Sequence, residues 1–203
     1  MNGFRILLAE DEAAVAASVG EQLRALGHEV VAEATTGREA VSLATRTKPD
    51  LLIMDIKMPG GDGIEAAREI AERCPIPIVF LSGHFDEDLL AGVTASGGLA
   101  YLLKPASSDQ LQAALALAST RFDEMESLRE QAARLQEMLE ARKLISRAKG
   151  LLMQRHGLTH EDARRHMQKE AVRSSMRLVD FARAILAGDV LQREPGAGSD
   201  CTL

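Results

Sequence analysis

Three kinds of side chain in this sequence could together handle a phosphoryl group: the carboxylates of Glu10, Asp11 and Asp55, the hydroxyl of Ser82, and the ammonium of Lys104. Each stands at the end of a short apolar run. Several carboxylates gathered at one crevice repel one another unless a cation sits among them. A dense set of hard oxygen ligands suits Mg²⁺, which binds through one or two carboxylates and keeps waters for phosphate oxygens. A carboxylate nucleophile, a metal, a hydroxyl donor and a lysine are the parts that phosphoryl transfer uses. Taken singly, an Asp at a strand end reads as a helix cap and a Lys-Pro pair as a loop. The inference rests on all of them falling at strand ends.

Those ends come from an alternation of strand and helix. Phe4–Ala9, Glu29–Ala34, Leu51–Met54, Ile76–Leu81 and Ala100–Leu103 read as strands, with helices over Ala13–Ala25, Arg38–Thr47, Ile64–Arg73 and Glu87–Ala95. Gly27, Gly37, Pro49, Pro75 and the Gly97-Gly98 pair punctuate the changes. The pattern predicts an α/β fold, a parallel sheet with helices on both faces. Five strands favour the flavodoxin-like (βα)5 order 2-1-3-4-5. The first and third strands are then neighbours, and their carboxyl ends border the crevice where ligands bind.

On these residues the segment 1–118 resembles a two-component receiver domain. The run Leu51-Leu52-Ile53-Met54-Asp55-Ile56-Lys57-Met58-Pro59-Gly60-Gly61-Asp62-Gly63 is similar to the family's phosphorylation loop. The resemblance implies that Asp55 is the phosphoacceptor. It implies that Asp11, Asp55 and the Lys57 carbonyl ligate Mg²⁺, with Glu10 acting mainly through water. Ser82 and Lys104 would contact the phosphoryl oxygens, and Tyr101 would be the switch aromatic. The loop that begins at Gly83 and His84 would move with Ser82. The phosphodonor would be a sensor histidine kinase or a small phosphodonor. Glu10 stands where the family more often has Asp.

Between Ser107 and position 195 there is no Pro, and the apolar residues follow a heptad-like stripe. Leu111, Leu115, Ala118, Phe122 and Met125 form its first part; Leu128, Ala132, Leu135 and Leu139 resume it. A helix running from the last receiver helix through a coiled-coil linker over 119–138 is expected. Its exposed seam calls for a partner, most simply a second copy of the chain on activation.

Three further helices are expected over 139–187: one ending at Gly157, one capped by Thr159, and one that Ser175 would cap. Charge separates this block from the rest. Residues 1–141 hold 12 Lys+Arg against 23 Asp+Glu, whereas residues 142–187 hold 11 against 4. A basic block of this kind is the footprint of nucleic-acid binding. The Ala148-Lys149-Gly150-x-Leu152-Met153 run, with Arg142, Ile145, Gly157, Ala163, Ala171, Ala182 and Ile185, resembles the ANTAR domain. That resemblance implies a transcription antitermination module that binds structured leader RNA hairpins. Arg165-His166 and Val172 depart from the usual pattern of its second helix. The candidate RNA contacts are Arg142, Arg147, Lys149, Gly150, Arg155, Arg165 and Arg173. Gly150 inside a helix costs about 1 kcal/mol relative to Ala. It therefore calls for a close approach, by a packed helix or by nucleic acid. Phe181 fits the core pattern, so stacking aromatics are scarce, and contacts through phosphates and guanidinium planes are expected instead.

Composition limits the alternatives. Only 3% of the 203 residues are aromatic, so the cores must be aliphatic. No apolar run approaches a membrane span or a secretory leader, and a cytoplasmic protein is expected. Cys74 and Cys201 have neither pairing nor metal spacing, and His156, His160 and His166 lack ligand partners. The block 142–187 has no Cys and no clustered carboxylates, which argues against a catalytic output. The tail 188–203 is expected to be disordered. The favoured reading is a phosphorylation-dependent RNA-binding antiterminator, not an enzyme. A DNA-binding regulator and a protein-binding adaptor are its rivals.

Overall fold

The structure is a computed structural model and describes residues 3–59, 61–83, 92–93 and 96–188. The position of His84, Cys201, the tail beyond residue 188 and most of the helix expected over Glu87–Ala95 lie outside these residues. The chain divides into two compact units, Met1–Ser127 and Leu128–Leu203.

The first unit carries strands β1 (Arg5–Ala9), β2 (Glu29–Ala34), β3 (Leu51–Asp55), β6 (Ile78–Ser82) and β7 (Ala100–Leu103) in one sheet, with a two-residue ribbon β4 (Lys57–Met58) and β5 (Gly61–Asp62). The sheet order is β2-β1-β3-β6-β7, every pairing in it parallel. This is the 2-1-3-4-5 order read from the sequence, β6 and β7 being the fourth and fifth strands of the sheet. The ribbon was not foreseen; it folds the loop after Asp55 back on itself.

Helices α1 (Ala13–Ala25), α2 (Gly37–Thr47) and α3 (Gly63–Arg73) follow β1, β2 and β5. Because both faces of a parallel sheet are covered, its central strands are apolar throughout. Alternate residues of β1, β3 and β6 feed two separate cores. Leu7, Leu52, Met54, Ile78 and Phe80 pack with α2 and α3. Ile6, Leu8, Leu51, Ile53, Val79 and Leu81 pack with α1 and with Leu111, Leu115 and Ala118.

Those last three belong to α4 (Ser108–His156), a 49-residue helix that passes from the first unit into the second. The stripe expected along it has two different fates. Leu111, Leu115 and Ala118 are buried in the first unit, whereas Leu128, Leu135 and Leu139 are 64%, 61% and 54% exposed.

In the second unit α4, α5 (His160–Arg173) and α6 (Leu178–Ala187) share a small core of Ala148, Leu152, Ala163, Met167, Ala171, Phe181, Ala182 and Ile185. The Thr159 hydroxyl accepts from the Asp162 amide, as the sequence predicts. The expected cap on α6 is different. Arg177 is its N-cap, with no side-chain bond, and Ser175 adopts φ 52°. Ser175 closes the turn after α5 instead, its amide donating to the Val172 carbonyl, so its hydroxyl lies too early to reach the first turn of α6. No described helix is long and apolar enough to cross a membrane.

Candidate functional site: an acidic crevice and a basic helix

Strand register assembles the crevice. Ala9 pairs with Met54 and Asp55 with Leu81, so Glu10 and Asp55 leave neighbouring strands at the same level. Ser82 pairs with Leu103, one residue before Lys104. The Lys104 amide donates to the Ser82 carbonyl at 2.8 Å and brings the lysine to the same edge. Glu10, Asp55 and Ser82 are buried and Asp11 is exposed. Tyr101 is half-buried on β7, opposite Phe80. Glu10, Asp11, Asp55, Ser82 and Lys104 stand at these strand ends and Lys57 follows β3, whereas Tyr101 lies within β7.

The geometry is that of two buried acids sharing one basic group. Lys104 Nζ lies 2.7 Å from Asp55 Oδ2 and 2.5 Å from Glu10 Oε2. The Lys57 amide donates to Asp55 Oδ1 at 3.2 Å and the Glu12 amide to Glu10 Oε1 at 3.3 Å. Burial raises the Glu10 carboxyl above the ordinary glutamate range; Asp55 adds to the rise while Lys104 opposes it. Burial would depress Lys104, but its bonds to Asp55 and Glu10 outweigh that and hold its pKa above the usual lysine value.

A divalent cation fits here. Glu10, Asp11 and Asp55 each offer one carboxylate oxygen, all within 4.8 Å of one another. Glu10 Oε2 is fully buried, and the Lys104 ammonium is its partner. A set of carboxylate oxygens this close together is what Mg²⁺ takes.

Two contributors were missed by sequence reasoning. Gly63, the first residue of α3, abuts the loop after β3. A β-carbon there would overlap the carbonyl oxygen of Asp55 and sit 3.0 Å from that of Ile56. The signal was present in the Gly-rich run, but its cause is a tertiary approach. The ion pair from Lys104 to Glu10 was also invisible, because β3 and β6 lie between β1 and β7 in the sheet.

In the second unit the candidate cations divide into two sets. Among the described residues Arg142, Arg147 and Arg155 on α4, and Arg165 on α5, have no ion pair. Arg173 is tied to Glu170 at 3.3 Å. Lys149 is half-buried and meets His160 Nε2 at 2.5 Å, a contact that sequence reasoning did not find. Gly150 is exposed, and a β-carbon on it would meet nothing within 4 Å. Tight packing against another helix of the described chain is therefore not the reason for this glycine.

Comparison with known proteins agrees with both halves. Residues 6–116 match the response regulator receiver domain and residues 133–186 the ANTAR domain. The transcriptional regulatory protein PdtaR of Mycobacterium tuberculosis is 48% identical over 177 residues, 86% of each chain. The transcriptional regulatory protein LiaR of Bacillus subtilis is 36% identical over 126 residues, 61% of this chain and 60% of that one. Among solved structures, the receiver domain of a modulated diguanylate cyclase from Desulfovibrio desulfuricans superposes with a TM-score of 0.57 at 29% identity, covering 60% of this chain and 98% of that one. The chain belongs to the response regulators, with a receiver domain followed by an ANTAR output domain.

Proposed function

We propose that this protein is a phosphorylation-controlled, RNA-binding transcription antiterminator. The observation that carries the reading is the Asp55 carboxylate, held in a buried acidic crevice against Lys104 Nζ. A sensor histidine kinase or a small phosphodonor is the source of the phosphoryl group. An Asp55 carboxylate oxygen attacks phosphorus; the new P–O bond forms as the P–N bond to the kinase histidine breaks, and the imidazole leaves with a proton. Asp11, Asp55 and the Lys57 carbonyl would hold Mg²⁺, with Glu10 acting through water; the ion opposes charge on the phosphoryl oxygens. Ser82 and Lys104 bind those oxygens, and Tyr101 responds as the switch aromatic. The incoming dianion competes with Asp55 for the Lys104 ammonium, so phosphorylation loosens a bond that now ties β7 to β3.

The proposed division is a receiver over 1–118, a linker helix over 119–138, an RNA-binding module over 139–187 and a disordered tail. The exposed leucines of α4 support pairing with a second copy on activation. Arg142, Arg147, Lys149, Gly150, Arg155, Arg165 and Arg173 are the proposed contacts to structured leader RNA hairpins, in the cytoplasm.

Beryllofluoride with Mg²⁺, a mimic of the aspartyl phosphate, tests the scheme. Treated protein is expected to dimerise and to bind hairpin RNA at least tenfold more tightly than untreated protein. Asp55→Asn is expected to remove both responses. Equal affinity with and without treatment refutes phosphorylation control, and preference for duplex DNA over hairpin RNA refutes the choice of nucleic acid.

A further inference from the structure

We infer that the RNA lies along the outward face of the last turns of α4, in a cation-flanked track centred on Gly150, and not across the α5–α6 side of the module. This inference rests on the RNA-binding reading and narrows its contact set to α4, without Arg165 and Arg173.

The stretch 142–156 contains five Lys or Arg and no Asp or Glu. Its helix has two distinct sides. Ile145, Ala148 and Leu152 turn into the shared core. Lys143, Ser146, Arg147, Gly150 and Gln154, which recur at helical spacing, are all exposed. Lys143 and Arg147 line one side of the strip, Arg142 and Lys149 the other. Ser146 and Gly150 form its low floor between them.

Ion pairing separates the cations of this stretch from most of those on α5 and α6. On α5 and α6, Arg164 pairs with Glu161 at 2.7 Å, Arg173 with Glu170, and Arg177 and Arg183 with Asp180 at 2.7 and 3.1 Å. Among the described residues, Arg142, Lys143, Arg147 and Arg155 have no carboxylate partner. Four unneutralised cations within four turns repel one another, and a polyanion would relieve that repulsion. A second copy of the same face would make it worse, so the charge favours RNA over self-association here.

Gly150 supplies the shape. It weakens the helix relative to Ala, yet nothing in the described chain needs the space it leaves. A sugar-phosphate backbone approaching the helix closely, with Lys143 and Arg147 on one flank and Arg142 on the other, would use that space. Arg165 and Lys169, which also have no ion pair among the described residues, stand on the outward side of α5, turned away from the same core.

The test uses the full-length, beryllofluoride-treated protein and a library of RNA hairpins with randomised loops. One hairpin enriched on the wild type serves as the probe for all variants. Lys143→Glu and Arg147→Glu are each expected to weaken binding tenfold or more, whereas Lys169→Glu changes it by less than threefold. Neutralising both track residues with Lys143→Gln and Arg147→Gln should lower the slope of log affinity against log salt by about 1.5. Gly150→Ala is expected to raise the melting temperature and weaken binding together; Gly150→Leu should retain helicity and lose binding more than tenfold. A hairpin that the Lys143, Arg147 and Gly150 variants all bind like the wild type overturns the track but leaves RNA binding intact. A change in oligomeric state at Gly150→Leu with unchanged RNA affinity overturns it in favour of a second copy. Enrichment of no hairpin at all removes both the track and the RNA reading.

Discussion

Gly63 and Asp55 are eight residues apart in sequence, yet a β-carbon on the glycine would collide with the aspartate's carbonyl oxygen. The Gly63 amide also donates to the Ile56 carbonyl at 2.9 Å. The first residue of α3 therefore acts as a stop against the loop that presents the phosphoacceptor. Gly63→Ala must displace that loop, and overpacking of this kind costs about 1–3 kcal/mol. Thermal denaturation should register the loss, and labelling of Asp55 by acetyl phosphate should slow. A variant with wild-type melting and wild-type labelling would show that the loop yields freely.

Lys104 separates two buried carboxylates. Lys104→Met leaves Glu10 and Asp55 facing each other without a counterion. Breaking a buried ion pair by removing one partner is strongly destabilising, and on the order of 3 kcal/mol is expected, because the lysine side chain itself keeps 16% exposure. Mg²⁺ should then raise the melting temperature of the variant more than that of the wild type, since the ion replaces the missing charge. Equal shifts in the two proteins would mean that no cation enters among these acids.

His28, just before β2, meets Phe4, just before β1. Its ring stacks on Phe4 at a centroid distance of 5.3 Å, and its Nδ1 accepts from the Phe4 amide at 3.0 Å. Burial lowers its pKa below the ordinary value of 6.5. The unfolded chain therefore takes up the proton first as pH falls, so the stabilising contribution is complete above about pH 6.5 and is lost below it. Chemical denaturation at a series of pH values should show this loss in the wild type and a smaller one in His28→Gln. Identical pH profiles would exclude His28 as the source.

The exposed leucines of α4 make a dimer test direct. In beryllofluoride-treated protein, Leu128→Glu with Leu135→Glu should yield a monomer in sedimentation equilibrium while circular dichroism remains unchanged, because both side chains are already solvent-facing in the single chain. A treated wild-type protein that sediments as a monomer would remove the proposed partner for this seam.

The α/β order was readable because a parallel sheet covered on both faces forces unbroken apolar runs such as Leu51-Leu52-Ile53-Met54, and because α1 and β2 are bounded by Gly27. The acidic crevice was readable for a related reason: parallel strands place their carboxyl ends at one edge, so Glu10, Asp55, Ser82 and Lys104 had to converge. Local signals failed where one residue pattern fits two conformations or two surroundings. Ser175 looks like a cap in sequence, but the α5–α6 turn takes it into a left-handed conformation. The stripe on α4 looks uniform, but only Leu111, Leu115 and Ala118 meet the sheet, and the later leucines face water.

What the chain determines by itself is periodicity, the order of its elements and the types of chemistry at their ends; these are local or follow from strand direction. Tertiary contact alone decided that Lys104 bridges Glu10 and Asp55 and that Gly63 props the phosphoacceptor loop. Each of those outcomes depends on distances between side chains from separate elements, and such distances exist only once the elements have packed.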